Sequence, residues 1–173
     1  ENSAVETIYR NAFPAWPNIE EIYFPKSLKE LKEGWCYGAE NLKKIIISPS
    51  NGQFIFKDDK YLVGKSDNNS DEFDNLLFVN RDLKEFSIPT NIKIISSYSF
   101  SRTKIDKILI PPNVSIICES AFYNCSDLKK VEIPTNSNLQ TIGRYAFSKT
   151  KIDEIYIPLN VSKICEGAFY FCR

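Results

Sequence analysis

LKEFSIPTNIKIISSYSFSRTK (83–104), IDKILIPPNVSIICESAFYNCSD (105–127), LKKVEIPTNSNLQTIGRYAFSKTK (128–151) and IDEIYIPLNVSKICEGAFYFCR (152–173) are four variations on one unit. A fifth, IEEIYFPKSLKELKEGWCYGAEN (19–41), fits the same frame. The half-unit AVETIYRNAFPAWPN before it supplies only the second part, and a copy that begins at LKKIIIS (42–48) is interrupted. The shared pattern is L-x-x-I-x-I-P, then a Val or Leu, then I-x-x-x-A-F. Pro89, Pro111, Pro134 and Pro158 lie 22, 23 and 24 residues apart. The extra residues fall at the Asn136–Leu139 turn and after the A-F pair, where loops can absorb them. A period this short marks stacked units, none of which can bury its apolar groups alone.

In L-x-x-I-x-I the last two apolar residues alternate with one exposed position, the period of a short strand. The proline that follows removes a ladder donor and ends the strand. Val or Ile residues further on turn the chain back, and the A-F pair drops a small and a large side chain inside. Stacked at about 4.8 Å, equivalent residues should form columns. Phe13, Phe100, Phe122, Phe147 and Phe169 are expected to make an aromatic spine, with Ala12, Ala121, Ala146 and Ala168 beside it. Trp35 and Cys36 replace the A-F pair in the second unit. Ile88, Ile110, Ile133 and Ile157 are expected as the inner strand column, continued by Phe24 and Ile47. Asn91, Asn113, Asn136 and Asn160 are expected as a hydrogen-bonding turn column.

Written out as L-x-x-I-x-I-P … I-x-x-x-A-F-x-x-C, the frame resembles the BspA-like subclass of leucine-rich repeats, best at Ile105–Asp127 and Ile152–Cys172. The stretch DDKYLVGKSDNNSDEFDNLLFVNRDLKEFSIP (58–89) is similar to an interruption in members from protozoan parasites. The resemblance implies an α/β-type leucine-rich-repeat solenoid, rich in β structure. Its parts would be a parallel concave sheet of short strands and short 3-10 or turn segments on the convex side. It also implies a surface-antigen type of protein, at the cell surface or secreted, that adheres to a protein or extracellular-matrix ligand. It brings no catalytic residues. Trp35–Cys36 in place of A-F and Ser48 in place of the strand-ending proline depart from the pattern.

One domain is expected over 1–173, cut at both ends, with a β-meander insertion at 49–82. Gln53–Phe56 and Tyr61–Val63 flank Lys57–Lys60 as a hairpin with a polar turn, and Leu76–Val79 supplies a third strand. A chain without Met is expected to be a fragment or a processed product, and apolar edges at its ends to allow end-to-end self-association. Asp67–Asp71 has oxygen ligands at alternate positions, as an EF-hand loop does. Glu72 stands where that loop needs glycine and Phe78 where it needs glutamate, so a solvated turn is the better reading.

The exposed mid-strand positions are Tyr23, Ile46, Ser87, Leu109, Glu132 and Tyr156, joined at the strand ends by Lys26, Pro112, Thr135 and Leu159. An apolar column facing solvent marks a partner-binding face, with Tyr23, Ile46, Leu109, Pro112, Tyr156 and Leu159 as its candidates. Side chains that merely pack along the sheet are the plainer alternative. At the strand starts, Glu20-Glu21, Lys43-Lys44, Lys84-Glu85, Asp106-Lys107, Lys129-Lys130 and Asp153-Glu154 alternate in sign, which predicts a cross-strand ion ladder.

Lys+Arg and Asp+Glu are both 22, so no global field draws in nucleic acid or an anionic membrane. No apolar run is long enough to insert in a bilayer. With no His the commonest neutral-pH general base is missing, and Gly at only 6 leaves no phosphate-cradling loop, which weighs against an enzyme. No cofactor, metal or catalytic activity is expected. The five cysteines are read as buried apolar fillers. Cys118 with Cys165, and Cys125 with Cys172, stand two units apart at roughly 9.6 Å, beyond the about 7 Å a disulfide spans. Asn68, Asn113, Asn124 and Asn160 begin N-x-[ST] sequons. Two functions remain open: a non-catalytic adhesion module, or an intracellular repeat scaffold or spacer with no ligand of its own.

Overall fold

The computed structural model describes residues 3–14, 16, 18–67 and 69–173, which wind into a β-solenoid of about seven turns. A full turn carries two short strands. The first row holds β2 (Glu21–Phe24), β4 (Lys44–Ile47), β9 (Lys107–Leu109) and β11 (Lys130–Glu132). The second row holds β1 (Thr7–Ile8), β3 (Glu30–Leu31), β8 (Ile94–Ile95), β10 (Ile116–Ile117), β12 (Thr141–Ile142) and β13 (Lys163–Ile164). Three longer strands, β5 (Phe54–Lys57), β6 (Tyr61–Gly64) and β7 (Asn75–Val79), come from the interruption.

Where the repeat pattern predicts one sheet on the L-x-x-I-x-I-P segments, the structure gives that row only two parallel pairs, β2–β4 and β9–β11. The longer ladder runs through the second row, β13-β12-β10-β8-β7-β6-β5. The interruption accounts for the difference, because β7 pairs with β8 and extends the second row, whereas residues 84–88, between β4 and β9 in the first row, pair with neither.

The A-F segments are turns, and no described residue is helical. Each run holds two residues with positive φ four apart: Gly34 and Gly38, Tyr98 and Arg102, Ser120 and Asn124, Tyr145 and Lys149, Gly167 and Phe171. A left-handed residue every fourth position stops helical propagation and turns successive amides outward along the stack. Ser120, Phe122 and Asn124 thus donate to the carbonyls of Arg144, Ala146 and Ser148 on the next turn, at 2.8, 2.7 and 2.9 Å. Gly167 shows the crowding this produces. A Cβ there would meet the Tyr145 ring at 2.3 Å.

The aromatic spine forms where A-F or S-F is intact. Phe100, Phe122, Phe147 and Phe169 stack with centroids 4.5, 5.0 and 5.5 Å apart and planes within 16°. Phe13 does not join that stack and meets Trp35 edge-on at 6.4 Å. Trp35 and Cys36 exchange the small and large sites, and the indole fills the gap between Phe24 and Phe78 at 5.6 and 6.2 Å. The inner column of Phe24, Ile88, Ile110 and Ile133 is buried, while Ile47 and Ile157 are half-buried.

The interruption is built into the wall. Antiparallel β5–β6–β7 joins the second row through β7, which pairs in parallel with β8. Its tip, Lys57–Lys60, is a two-residue turn with Asp58 and Asp59 both at positive φ, the twist that suits a tight hairpin. Leu62, Leu76, Phe78 and Val79 are fully buried, so the meander replaces a turn of the core. It has no A-F run of its own, so Val79 N–H supplies a backbone donor to Ser99 O at 2.9 Å and Arg81 fills the rest of the gap. Its buried guanidinium donates to Ser99 O at 2.8 Å, Tyr98 O at 3.1 Å and Cys36 Sγ at 3.4 Å, and lies 4.6 Å from the Phe78 ring centroid. Burial lowers the Arg81 pKa and raises that of the Cys36 thiol.

Asp74 ties the loop after β6 to the next turn. Its buried carboxylate accepts from Ser66 N at 3.0 Å and Ser66 Oγ at 2.9 Å, and pairs with Lys93 at 3.1 Å. Burial pushes its pKa up, but Ser66 and Lys93 together pull it further down, below the ordinary carboxylate value.

Arg81→Met is expected to lose about 2–3 kcal/mol, through the lost charge-assisted hydrogen bonds to Ser99 O and Tyr98 O and the lost packing on Phe78. Arg81→Lys should not rescue it, because an ammonium lacks the planar fork; urea denaturation of both variants measures this. For Asp74 the folded pKa lies below the unfolded one. Its contribution to stability is therefore present above the unfolded value, about 3.9, and is lost as pH falls through the folded one. Urea midpoints of the wild type and Asp74→Asn should differ at neutral pH and converge in acid.

Candidate partner-binding face

Strand alternation aims the predicted residues outward. Tyr23 (52% exposed) and Leu109 (54%) alternate with buried neighbours and Tyr156 (55%) with half-buried ones, Leu159 is almost wholly exposed at 97%, and Ile46 is less so at 37%. Pro112 is half-buried. Two patches result. Tyr23 and Ile46 face each other in register across β2–β4. Leu109 and Pro112 lie on one side of Glu132, and Tyr156 and Leu159 on the turn beyond, next to the Lys130–Glu154 bridge. Ser87 and Glu132 are the polar interruptions, and Glu132 is held by Lys130 at 2.6 Å.

Between Glu85–Ile88 and β9 the first-row ladder is open. The opening encloses about 410 Å³ and is lined by Phe86, Ser87, Ile88, Ile108, Leu109 and Pro112, with Glu85 and Lys107 at its margin. Two of the predicted residues thus border a concavity that the repeat pattern does not reveal.

The ion ladder forms only in part. Lys43 pairs with Glu20 at 3.4 Å and Lys44 with Glu21 at 3.3 Å. Further along, Lys104 reaches Asp82 at 2.6 Å and Lys151 reaches Asp127 at 3.7 Å, so the pairing moves off the strand starts to residues just outside them. Among the described residues no ion pair involves Asp106, Lys129 or Asp153.

Turn asparagines form a ladder as expected, with one substitution. Asn91, Asn113 and Asn160 donate through Nδ2 to Phe73 O, Thr90 O and Ser137 O at 2.9, 2.8 and 2.8 Å. In the unit lengthened by two residues Asn138 replaces Asn136, its backbone N–H bonding Pro112 O at 2.8 Å. Asn51, missed in the sequence, does the same work at the start of the interruption, donating to Pro25 O and Leu28 O. Of the sequons, Asn68 lies outside the described residues, and Asn124 is a half-buried left-handed turn residue.

All five cysteines are free. Cys125 and Cys172 are more than apolar fillers. Each thiol lies within 3.3 Å of a Phe carbonyl and 3.4 Å of a Thr hydroxyl, Phe100 and Thr103 in one case, Phe147 and Thr150 in the other. Burial pushes the Cys118 thiol up to about 12 and the Cys125 thiol up to about 11. Both stay protonated at neutral pH, unsuited to nucleophilic attack.

A second surface feature escaped the repeat pattern. Tyrosines stand alternately after and before the A-F position, and Tyr37–Tyr98, Tyr98–Tyr123 and Tyr145–Tyr170 approach at 4.9, 6.5 and 6.0 Å. Arg10, Lys149 and Arg144 lie over these rings, and Arg10 and Arg144 also pair with Glu119 and Glu166. The alternation Y-S-F, A-F-Y, Y-A-F, A-F-Y is legible in the sequence once sought.

Six copies of the BspA type leucine rich repeat region match residues 2–63 and 52–173. The chain belongs to this family. No curated protein matches it. Among solved structures, this BspA-type chain is similar to a leucine rich cell surface protein from Faecalibacterium prausnitzii. The two are 22% identical with a TM-score of 0.81, over 97% of this chain and 43% of the other. A leucine-rich repeat protein from Eubacterium ventriosum is 25% identical at TM-score 0.65, over 85% and 42%. The pneumococcal vaccine antigen PcpA is 18% identical at TM-score 0.60, over 96% and 56%. The BspA-type chain thus spans less than half the length of the first two. No described helix is long and apolar enough to cross a membrane.

Tyr23→Ala, Leu109→Ala and Tyr156→Ala remove exposed side chains whose only structural role is lateral packing. Each should shift stability by less than about 1 kcal/mol, with the near-ultraviolet dichroism of the buried aromatics retained.

Proposed function

We propose that this chain is a non-catalytic protein-binding and adhesion module of a cell-surface or secreted leucine-rich-repeat protein. The observation that carries this reading is the exposed apolar surface on the first strand row, Tyr23 with Ile46 and Leu109 with Pro112, Tyr156 and Leu159. Aromatic and aliphatic side chains held outward on a rigid sheet give contact area at little entropic cost, and a fixed ladder keeps them in place before a partner arrives. Support for a surface location comes from the names of the similar solved proteins, a cell surface protein and a vaccine antigen. The partner is a protein or a matrix component.

One observation favours the second reading, an intracellular scaffold or spacer. Five unpaired thiols suit a reducing compartment better than an oxidising one.

The test uses the intact chain and a Leu109→Ala/Tyr156→Ala variant to capture matrix proteins and surface extracts from the native setting. At least a tenfold loss of capture by the variant is expected, with a Lys57→Ala control unchanged. Labelling of intact cells with an antibody to the chain separates the readings: an exclusively internal protein would sink adhesion.

A further inference from the structure

We propose that Asn51–Gly52 is a deamidation site gated by the fold. While the junction between β4 and the interruption is closed, it holds the Asn51 side-chain amide in place. Opening of the junction frees that amide and lets the chain convert it to aspartate or isoaspartate, after which the junction cannot close as before.

Asn51 and Gly52 are the chain's single Asn-Gly pair. In such a pair the backbone nitrogen of the second residue can attack the side-chain carbonyl carbon of the first, because glycine has no side chain to shield its amide. A bond forms between Gly52 N and Asn51 Cγ, the Cγ–Nδ2 bond breaks, and the Gly52 amide proton leaves with Nδ2 as ammonia. The cyclic imide that results takes up one water. Opening at the side-chain carbonyl leaves aspartate, and opening at the backbone carbonyl leaves isoaspartate. No oxidant or reductant is needed. The other asparagines that bond across turns, Asn91, Asn113, Asn138 and Asn160, are followed by Ile92, Val114, Leu139 and Val161, whose branched side chains shield the attacking nitrogen.

The two reacting groups differ in freedom. Gly52 is exposed, and among the described residues no hydrogen bond holds its amide. The Asn51 side chain is buried and fixed at every polar position. Nδ2 donates its two hydrogens to Pro25 O and Leu28 O at 2.8 and 2.9 Å, and Oδ1 accepts from Gln53 N–H at 2.9 Å. Attack makes Cγ tetrahedral and swings Nδ2 out of the amide plane. That movement breaks both bonds to the turn after β2 and leaves two carbonyls without a donor. The reaction therefore waits for local opening.

Neither product restores what is lost. A carboxylate has no hydrogen to donate, so aspartate at this position sets its oxygens against Pro25 O and Leu28 O. Isoaspartate also lengthens the main chain by one carbon. The extra carbon falls between two fixed points, the Asn51 N–H bond to Ser48 O at 2.8 Å and the buried Phe54 that begins β5. Either change loosens the first end of the interruption. That end is continuous with the Tyr23–Ile46 patch, because Ser48 N–H extends the β2–β4 ladder to Phe24 O at 2.9 Å. Opening at this one place is thereby turned into a permanent covalent change, with water as the only co-reactant.

The test follows residue 51 by peptide mass spectrometry in the intact chain, kept at one mildly alkaline pH in buffer and in guanidinium chloride. Conversion of the folded chain should be slower than that of the unfolded chain by about a hundredfold or more. Gly52→Ala shields the attacking nitrogen. Its Cβ meets no atom within 4 Å and its φ lies outside the left-handed region, so the fold is retained. Conversion of that variant in guanidinium chloride should fall by about tenfold. Asn51→Asp reproduces one product and should lower the urea midpoint and speed amide exchange in β5 by about tenfold or more. If Asn51→Asp does not fold, wild type aged in guanidinium chloride and refolded supplies the same reading, because a brief protease pulse should remove the chains altered at residue 51 first. Equal conversion in the folded and unfolded chain overturns the gate. Undiminished conversion in Gly52→Ala overturns the imide route, and altered chains as resistant as wild type to urea and protease overturn the claimed consequence.

Discussion

Every turn of this chain must lie one strand spacing from the next, and that single distance governs the rest of the structure. A turn of 22 to 24 residues has too few apolar groups to enclose a core, so its buried side chains need equivalents above and below. The phenylalanine stack makes the constraint visible: its 4.5–5.5 Å steps bracket the roughly 4.8 Å between hydrogen-bonded strands. Backbone and side chains obey the same repeat only because two left-handed residues in each A-F run aim the amides along the stack. Non-glycine residues hold that conformation at a cost of about 1–2 kcal/mol each, which the ladder they enable must offset.

The same constraint explains why the interruption needed a buried arginine. A hairpin has its own ladder and cannot continue the turns' pattern of outward amides. At the junction Val79 N–H still reaches Ser99 O, and Arg81 adds further donors to Ser99 O and Tyr98 O where the repeat would have continued its backbone. A fork of parallel N–H groups resembles two successive amides more closely than any other side chain does. The face of Phe78 and the Cys36 sulfur partly compensate the charge. Cys36 is small because the guanidinium occupies space that a spine phenylalanine would take, and Trp35 fills the complementary void. Two departures from the repeat, well over forty residues before the interruption ends, are thus parts of its socket.

The repeat, its spine and the outward set on the first row were all legible in the sequence, because each depends on a period that recurs five or more times. What was not legible depends on single events. No residue pattern distinguishes which of two short strand rows will carry the longer ladder; that follows from β7 adding to β8, a pairing between the interruption and a turn. Asn138 replacing Asn136 follows from where a two-residue lengthening is absorbed, which a spacing of prolines locates only to within the loop. Asn51 and Arg81 occur once each, and a search for repetition passes over residues that satisfy a break in it. The tyrosine strip is periodic but alternates sides of the A-F pair, so a frame fixed on one offset sees half of it.

In the proposed reading, recognition by a repeating face meets a difficulty. A surface that repeats every turn offers a partner several registers of similar energy, so affinity gained from the repeat brings little discrimination. Discrimination needs an aperiodic mark, and on the first row there are two. Glu132 and Ser87 replace apolar residues on alternate strands, which divides the outward column into unequal patches. In the reading proposed above, a partner shifted by one turn would lay its apolar groups against Ser87 or Glu132, and the cost of desolvating those polar side chains fixes its register.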